Sequence, residues 1–462
     1  MRVFASGAAL FAFAIFAAPS AAPAAPVPLA APAMPAPLDL RSAVRFALDH
    51  DPGVLNRRAT LASNESTYAR DHAAEFPTLA GTLQNQVSKS HNASGGTFSQ
   101  FGLQPPQVFS QNVAQIGSTY NLYNGSLAQI QAQSAKREVE SSREDLRRAE
   151  QQLATDVAAA FYGAVQQREA TRLAESDRVY QQQLLDVARA QERVGRAAGV
   201  DVLRAQVNEL RSEATLTSAR ASQANAVESL AQRIGAPPDT PFALPAILPE
   251  PPLPQTPVET LVAAALAARA DVASARSQIA VARLADAAIE TDRRPQLQLN
   301  GAFGNTESPA SAFSAGPPGR AGFWQIGATE TLTIPFIEYG ARRAAHRAAR
   351  AQLTAAEGTL ASVESGVATD VRQALRAVQT ASANLATQRE AQRYGAESAR
   401  IAQLQYRNGL ISLTDATAAE QSALSAANDL VAARVNYLNA LVRLRASVGA
   451  ADPLAVVEPG AP

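Results

Sequence analysis

Four stretches of the chain alternate apolar and polar residues with a period of two. In "TLAGTLQNQVSKS", Leu79, Leu83 and Val87 oppose Thr82, Gln84, Gln86 and Ser88. Ile116, Tyr120 and Leu122 oppose Gln115, Thr119 and Asn121. In "PQLQLNGAF", Leu297, Leu299 and Phe303 oppose Gln296, Gln298 and Asn300. Trp324, Ile326, Leu332 and Ile334 oppose Gln325, Thr329, Thr331 and Thr333, with Glu330 breaking the pattern on the apolar side. Such alternation predicts strands with one apolar and one polar face. The polar side is uncharged Gln, Asn and Thr, which suits a water-filled lumen. Each stretch has about the 9–11 residues that a tilted transmembrane strand needs.

Between the strand pairs the pattern turns helical and very long. Residues 126–194 and 341–408 contain no proline. At 1.5 Å per residue each predicts a helix of roughly 100 Å, which must pack sideways along its length. Helices of half that length are predicted at 39–75, 201–234, 258–292 and 412–448. Paired end to end, two of these match one long helix, so the breaks fall at mid-height. There the linker and both ends of the chain form a belt.

The order of elements repeats. "TDV" stands at 155–157 and again at 369–371; "EFPTL" around Pro77 answers "RRPQL" around Pro295; "YNG" at 123–125 answers "EYG" at 338–340. "ERVGRAAGVD" and "YRNGLISLTD" each place aspartate six positions after glycine: Gly195 to Asp201 and Gly409 to Asp415. The chain is an internal duplication of a helix–strand–strand–helix unit. Its expected divisions are a signal peptide at 1–24, a Pro/Ala-rich lead at 25–38 and a first repeat at 39–234, with strands near 78–90 and 113–123. A Pro-rich equatorial linker follows at 235–257. The second repeat occupies 258–448, with strands near 296–304 and 323–334, and a tail covers 449–462. Nine prolines exclude a continuous helix in the linker. Arg2, the apolar run from Gly7 to Ala18 and the small residues after it give the N-terminus its secretory character.

Four strands cannot close a barrel in lipid, because an open edge leaves backbone groups unsatisfied. Several copies of the chain must share one wall.

Composition removes whole classes of function. The 462 residues include no cysteine, which excludes disulfides, thiolate metal sites, a cysteine nucleophile and a lipid-anchored terminus. Net charge is +0, so nothing draws the chain to nucleic acid. The basic residues are arginine apart from Lys89 and Lys136. His50, His72, His91 and His346 are scattered without metal-ligand spacing, "GPPGR" lacks the end of a phosphate loop, and no serine stands in an elbow motif. No catalytic residue, metal or cofactor is expected. An exported coiled-coil scaffold without a pore would share the long helices, but it has no use for four Gln/Thr-lined strands at duplicated positions.

Taken together, the duplicated layout, "TIPFIEYGARR" at 333–343 and "YRNGLISLTD" resemble the TolC-like outer-membrane efflux proteins, the outer membrane factors. That resemblance implies a mainly α chain with transmembrane β: a homotrimer with a 12-stranded β-barrel in the outer membrane, above a 12-helix periplasmic α-barrel. It implies a passive exit duct for small toxic compounds, partnered by an inner-membrane pump, a periplasmic adaptor and outer-membrane lipid. The alternative within this class is a duct for type I protein secretion. Residue by residue, it implies an aperture lined by Asp201, Asp415 and Tyr406, the position three beyond Asp415 being Ala418. It places adaptor contact at Gly195, Arg196, Gly409, Leu410 and Ile411, and the strand-to-helix crossing at Gly125, Pro335 and Gly340. The first repeat has "NLYNGS" where the second has a crossing proline. Trp324 is expected in the aromatic girdle of the membrane interface. Read as local structure alone, Asp415 completes a capping box with Ser412, and Asp201 is an N-cap candidate. Leu410 and Ile411 either face solvent or pack under a neighbouring helix.

Overall fold

A computed structural model describes residues 39–90, 107–195, 197–237, 244–245, 248–309, 320–336, 339–450 and 454. The signal segment, the lead, Arg196, His91 and most of the tail lie outside the described residues.

The chain runs α1 (Leu40–His50), α2 (Pro52–Ala73), β1 (Thr78–Ser90), β2 (Gln107–Tyr123), α3 (Leu127–Arg193) and α4 (Gly199–Ile234). The second half runs α5 (Val258–Ala268), α6 (Ala270–Thr291), β3 (Gln296–Pro309), β4 (Arg320–Thr333), α7 (Ala341–Arg407) and α8 (Leu413–Ser447). It is mostly helical, with one small sheet. Helices α3 and α7 have 67 residues each. Among the described residues no helix is long and apolar enough to cross a membrane.

The four strands form one antiparallel sheet in the order β1-β2-β3-β4. Its register carries the alternation across all four. Gly81 faces Ile116, Ile116 faces Phe303, and Phe303 faces Ile326. Leu79, Leu83, Val87, Ile116, Leu299, Phe303, Trp324, Ile326 and Leu332 therefore share one face, and all are exposed on it. Thr82, Gln84, Gln115, Thr119, Asn300, Thr329 and Thr331 share the other. Glu330 sits on the apolar face opposite Leu299. A register shift between Asn121 and Tyr123 brings Tyr123 opposite Leu297 and drops Leu122 out of the alternation. Strands β2, β3 and β4 run beyond their expected bounds, to Gln107, Pro309 and Arg320, so Trp324 is the fifth residue of β4 rather than its end. It stacks on Phe303, ring centroids 5.5 Å apart.

The helices keep the lateral order of the strands. α3 packs on α2 and α6 toward the sheet and on α4 and α8 away from it; α7 packs on α6 and α8. One edge of the chain is thus β1, α2 and α4, and the other is β4 and α7.

At mid-height the half-length helices differ from expectation. Each expected single helix at 39–75 and 258–292 is two helices, broken at Asp51 and at Arg269. Pro52 accounts for the first break: it has no N–H to give α1, and it holds Asp51 extended. The Asp51 side chain then accepts from Val54 N–H at 2.9 Å, which starts α2. No proline explains the second. Arg269 is extended, with φ −72° and ψ 132°, and its guanidinium grips Asp271 at 2.6 Å and Asp370 at 3.1 Å. Against these breaks end α4 and α8. Gly235 and Gly449 close them with φ of +76° and +77°. A Cβ on Gly449 would lie 3.0 Å from the Ala268–Arg269 backbone, so only glycine fits that close approach.

The largest apolar cluster lies at this level. It joins α1, α3, α4 and α8 through residues such as Ala47, Val157, Phe161, Leu230, Ile234 and Leu438. The described part of the linker is strapped over this cluster and the neighbouring α7–α8 one: Arg168 donates to the Leu244 carbonyl at 2.6 Å, and Tyr437 Oη to that of Pro251 at 2.8 Å.

Candidate functional site

The two glycine turns stand at the end of the helices farthest from the sheet. α3 ends at Arg193, and Gly195 reverses the chain with φ +72°. α7 ends at Arg407, and Gly409 does the same with φ +74°. Nothing lies within 4 Å of a Cβ built on either glycine, so it is the left-handed backbone, not space, that requires them.

The turns then diverge. Ser412 is the N-cap of α8; its hydroxyl accepts from Asp415 N–H at 3.1 Å, and the Asp415 carboxylate returns to Ser412, a complete capping box. The equivalent cap of α4 is Ala198, which has no side chain to offer. Asp201 is therefore not an N-cap. It is the third residue of α4, exactly where Asp415 lies in α8 relative to its cap, and its carboxylate lies 3.6 Å from Arg204.

Tyr406, in the last turn of α7, is 4% exposed. It packs among Leu184, Leu185, Ala188, Val202, Leu413 and Ala416, which bind the α3–α4 hairpin to the α7–α8 hairpin. Gln191 donates to its carbonyl at 3.0 Å across that seam. Its hydroxyl is buried without a hydrogen-bond partner. Burial, then the charge of Asp201, raises its pKa. Tyr406 thus lies within range of the Asp201 charge without hydrogen-bonding to it. Asp415, held in its own cap, is not among the charges that raise Tyr406.

Leu410 and Ile411 separate. Leu410 is 72% exposed, while Ile411 packs against the apolar tip cluster. Of these two, only Leu410 is left exposed. The sequence reading missed two further residues. Tyr180 on α3 has a buried hydroxyl without a partner; burial, Glu420 and Asp177 push its pKa up to about 12 against the opposing charge of Arg407. Glu420 on α8 is raised by burial and then by Asp177. An acid on an amphipathic helix reads as solvated, and only the α3–α8 packing brings these three together.

At the other end of the long helices, Gly125 and Ser126 both have positive φ, +66° and +74°. Ser126 is the N-cap of α3 and Gly340, φ +85°, is the N-cap of α7. The crossing glycine of the second half is thus matched by Ser126, one residue beyond Gly125. Gly125 itself is pinned by Arg294, which donates to its carbonyl at 2.8 Å. Pro335 follows β4 after Ile334, with Phe336 and Tyr339 exposed beside it. His346, isolated in sequence, lies in space between two acids of α6, with Nδ1 2.7 Å from Asp286 and Nε2 2.8 Å from Glu290.

The family model described as outer membrane efflux protein matches residues 43–236 and 261–450. Protein CyaE of Bordetella pertussis is 24% identical over 335 residues, which cover 70% of this chain and 65% of that protein's length, just under two thirds. The open-state MtrE outer membrane channel of Neisseria gonorrhoeae superposes with a TM-score of 0.70 at 20% identity, covering 89% of this chain and 88% of that one. The CmeC outer membrane channel of Campylobacter jejuni gives a TM-score of 0.71 at 17% identity, covering 89% and 85%.

Proposed function

Because the chain belongs to the outer membrane efflux protein family, we propose that three copies close into a 12-stranded barrel over a 12-helix periplasmic tunnel, forming a passive exit duct. The protein is an outer-membrane protein with a helical periplasmic extension. One observation carries the proposal. The sheet has an apolar face and two unpaired edges, β1 and β4, and the helices expose α2/α4 and α7 on the same two sides. Unpaired backbone groups in hydrocarbon cost several kcal/mol each. Joining β4 of one copy to β1 of the next removes every edge and lays α7 against α2 and α4 in the same step.

In this reading a periplasmic adaptor engages the tip around Gly195, Arg196, Gly409 and Leu410, and an inner-membrane pump supplies small toxic compounds. Asp201 and Asp415 repeat around the axis as a ring of six carboxylates, which draws cations and repels anions. Tyr406 holds the two hairpins together behind that ring. No chemical step is required of the duct.

The charge is tested apart from the cap with Asp201→Asn and Asp415→Asn combined, since an asparagine side chain still accepts the capping hydrogen bond. In planar bilayers the paired variant is expected to lose cation preference and to conduct more. Unchanged selectivity would remove the carboxylate ring and leave both aspartates as helix-starting residues. A strain lacking the protein is expected to become sensitive to small toxic compounds while its secreted proteins persist; the reverse outcome assigns the duct to protein secretion.

A further inference from the structure

The repeat that links the two halves also fixes how one chain meets the next. β1 begins at Thr78 and β3 at Gln296, an offset of 218; Thr78 faces Thr119 and Gln296 faces Thr333, so β2 and β4 are offset by 214. Inside the chain, β2 joins β3, the second strand of one repeat to the first strand of the next. The joint between chains has the same composition: β4, a second strand, meets β1 of the neighbour, a first strand. Applying the repeat offsets to the internal register gives the external one. Ile116 faces Phe303 within the chain. Moved forward 214 positions, Ile116 becomes Glu330; moved back 218, Phe303 becomes Asn85.

We infer that Glu330 of one copy faces Asn85 of the next across the barrel closure, its carboxyl group hydrogen-bonded to the Asn85 carboxamide on the lipid-facing side. This rests on the trimeric-barrel reading above and adds the register and chemistry of its seam. Three features of the sheet agree with it. The transferred register puts Leu83 opposite Leu332 and Val87 opposite Ala328, so the apolar faces stay aligned; a slip of one residue would turn one strand inside out. Away from the loop ends of the strands, within Leu79–Val87, Asn112–Leu122, Leu297–Asn305 and Trp324–Leu332, Glu330 is the one residue on the apolar face that is charged at neutral pH, and it lies on the edge strand where only a second copy can reach it. Asn85 is the polar break in the apolar row of β1, and on its inner side it faces Asn112.

Within a single chain the two residues are three strand spacings apart across the sheet, already about 14 Å, and further separated along the strands, so they cannot meet. Alone in hydrocarbon, the Glu330 carboxyl group is costly; the Asn85 carboxamide, which faces Asn112 on one side, offers it a partner on the other. The internal joint at the same level is apolar on both sides. The seam between chains is therefore chemically distinct from the seam within a chain, and a β1 edge that paired in another register would leave Glu330 against an apolar neighbour.

The full-length protein contains no cysteine, so disulfides report the seam without background. Asn85→Cys with Glu330→Cys, oxidised in outer membranes, is expected to give a covalent trimer on a non-reducing gel, because an intrachain disulfide cannot span three strands. Leu83→Cys or Val87→Cys, each with Glu330→Cys, shifts the pairing by two residues and is expected to give little trimer. A stronger cross-link at either shifted pair would overturn the register while leaving the trimer intact. Cross-linked dimers from Asn85→Cys alone would mean that β1 pairs with itself. No interchain product from any pair would sink the trimeric barrel as well. The hydrogen bond is read separately from the temperature at which trimers dissociate in detergent. Glu330→Leu and Asn85→Leu are each expected to lower it, and the double variant to fall by less than the two losses summed, since replacing both partners removes the stranded group that each single variant leaves at the seam. Losses that simply add would overturn the polar contact.

Discussion

The two halves of the chain share a skeleton and fasten it differently. At mid-height in the second half, Arg269 ties three elements together. Its side chain and that of Asp271 are only 16% and 12% exposed, it reaches Asp370 on α7, and it donates to the Ser447 carbonyl at the end of α8. In the first half the equivalent positions are Asp51, Asp156 and Arg233. The arginine now comes from α4, lies 3.8 Å from Asp156 and is half exposed. Asp51 meanwhile serves as a helix cap beside Pro52. One break is made by covalent geometry and decorated with a surface ion pair; the other has no proline and depends on a charge network. Removing the arginine should therefore matter very unequally. Arg269→Ala strands the Asp271 carboxylate and should cost about 3 kcal/mol; Arg233→Ala should cost less than about 1 kcal/mol. The urea midpoint of the helical signal, together with protease cleavage near Arg269, measures both. Equal losses would mean that the second break is maintained by backbone packing around Gly449 instead.

That contrast also marks where sequence stops being informative. The strands were legible down to the face of each side chain because a period of two is local and the repeat states it four times. The long helices were legible for the same reason: nothing in 67 residues interrupts them. The break at Asp51 was legible in principle from Pro52, but the matching stretch of the second repeat, with no proline, made one continuous helix seem natural in both. The break at Arg269 was not legible, since its partners Asp370 and Ser447 are distant in the chain. At the tip, the glycines and the Ser412–Asp415 box could be read from spacing. The burial of Tyr406, the separation of Leu410 from Ile411 and the grouping of Tyr180, Asp177 and Glu420 could not, because each depends on which face α3 turns toward α8.

The tip repeats the inequality on a smaller scale. α8 starts from a complete capping box, whereas α4 has the aspartate without the serine. Ser412→Ala should cost about 1 kcal/mol, and Ala198→Ser should stabilise α4 by a similar amount, since Asp201 already occupies the third position. Amide exchange in the first turns of α4 and α8 reads this directly. A shift of about fivefold is expected in opposite directions for the two variants. If Ala198→Ser leaves α4 unprotected, the Asp201 carboxylate is committed to Arg204 and is not available to complete a box.

Acidification should separate tip from equator by sign, with the smallest effect of the three. Glu420 is an acid whose pKa in the folded protein is raised above the ordinary 4.5, by burial and then by Asp177. Above that raised value both folded and unfolded chains carry the charge, and the fold bears the penalty of burying it. As pH falls through the raised value toward 4.5 the folded chain takes up a proton first, so packing between α3 and α8 strengthens. Tyr180, at about 12, stays neutral throughout and does not contribute. Asp271 behaves oppositely. Burial alone would raise it, but the hydrogen bonds and charge of Arg269, with smaller help from Arg148 and the Val272 N–H, lower it below the ordinary 3.8. Its contribution is fully present above 3.8 and is lost only as pH drops through the depressed value. Between pH 7 and 4.5 protection from exchange, taken relative to the intrinsic rate at each pH, should therefore rise at the tip and stay constant at mid-height; below 3.8 the mid-height contacts should loosen. Glu420→Gln should already show the more protected tip at pH 7, and that protection should no longer depend on acid. A tip that loosens on acidification in the unaltered protein, or a Glu420→Gln tip that still tightens, would place the responsive group elsewhere on α3 or α8.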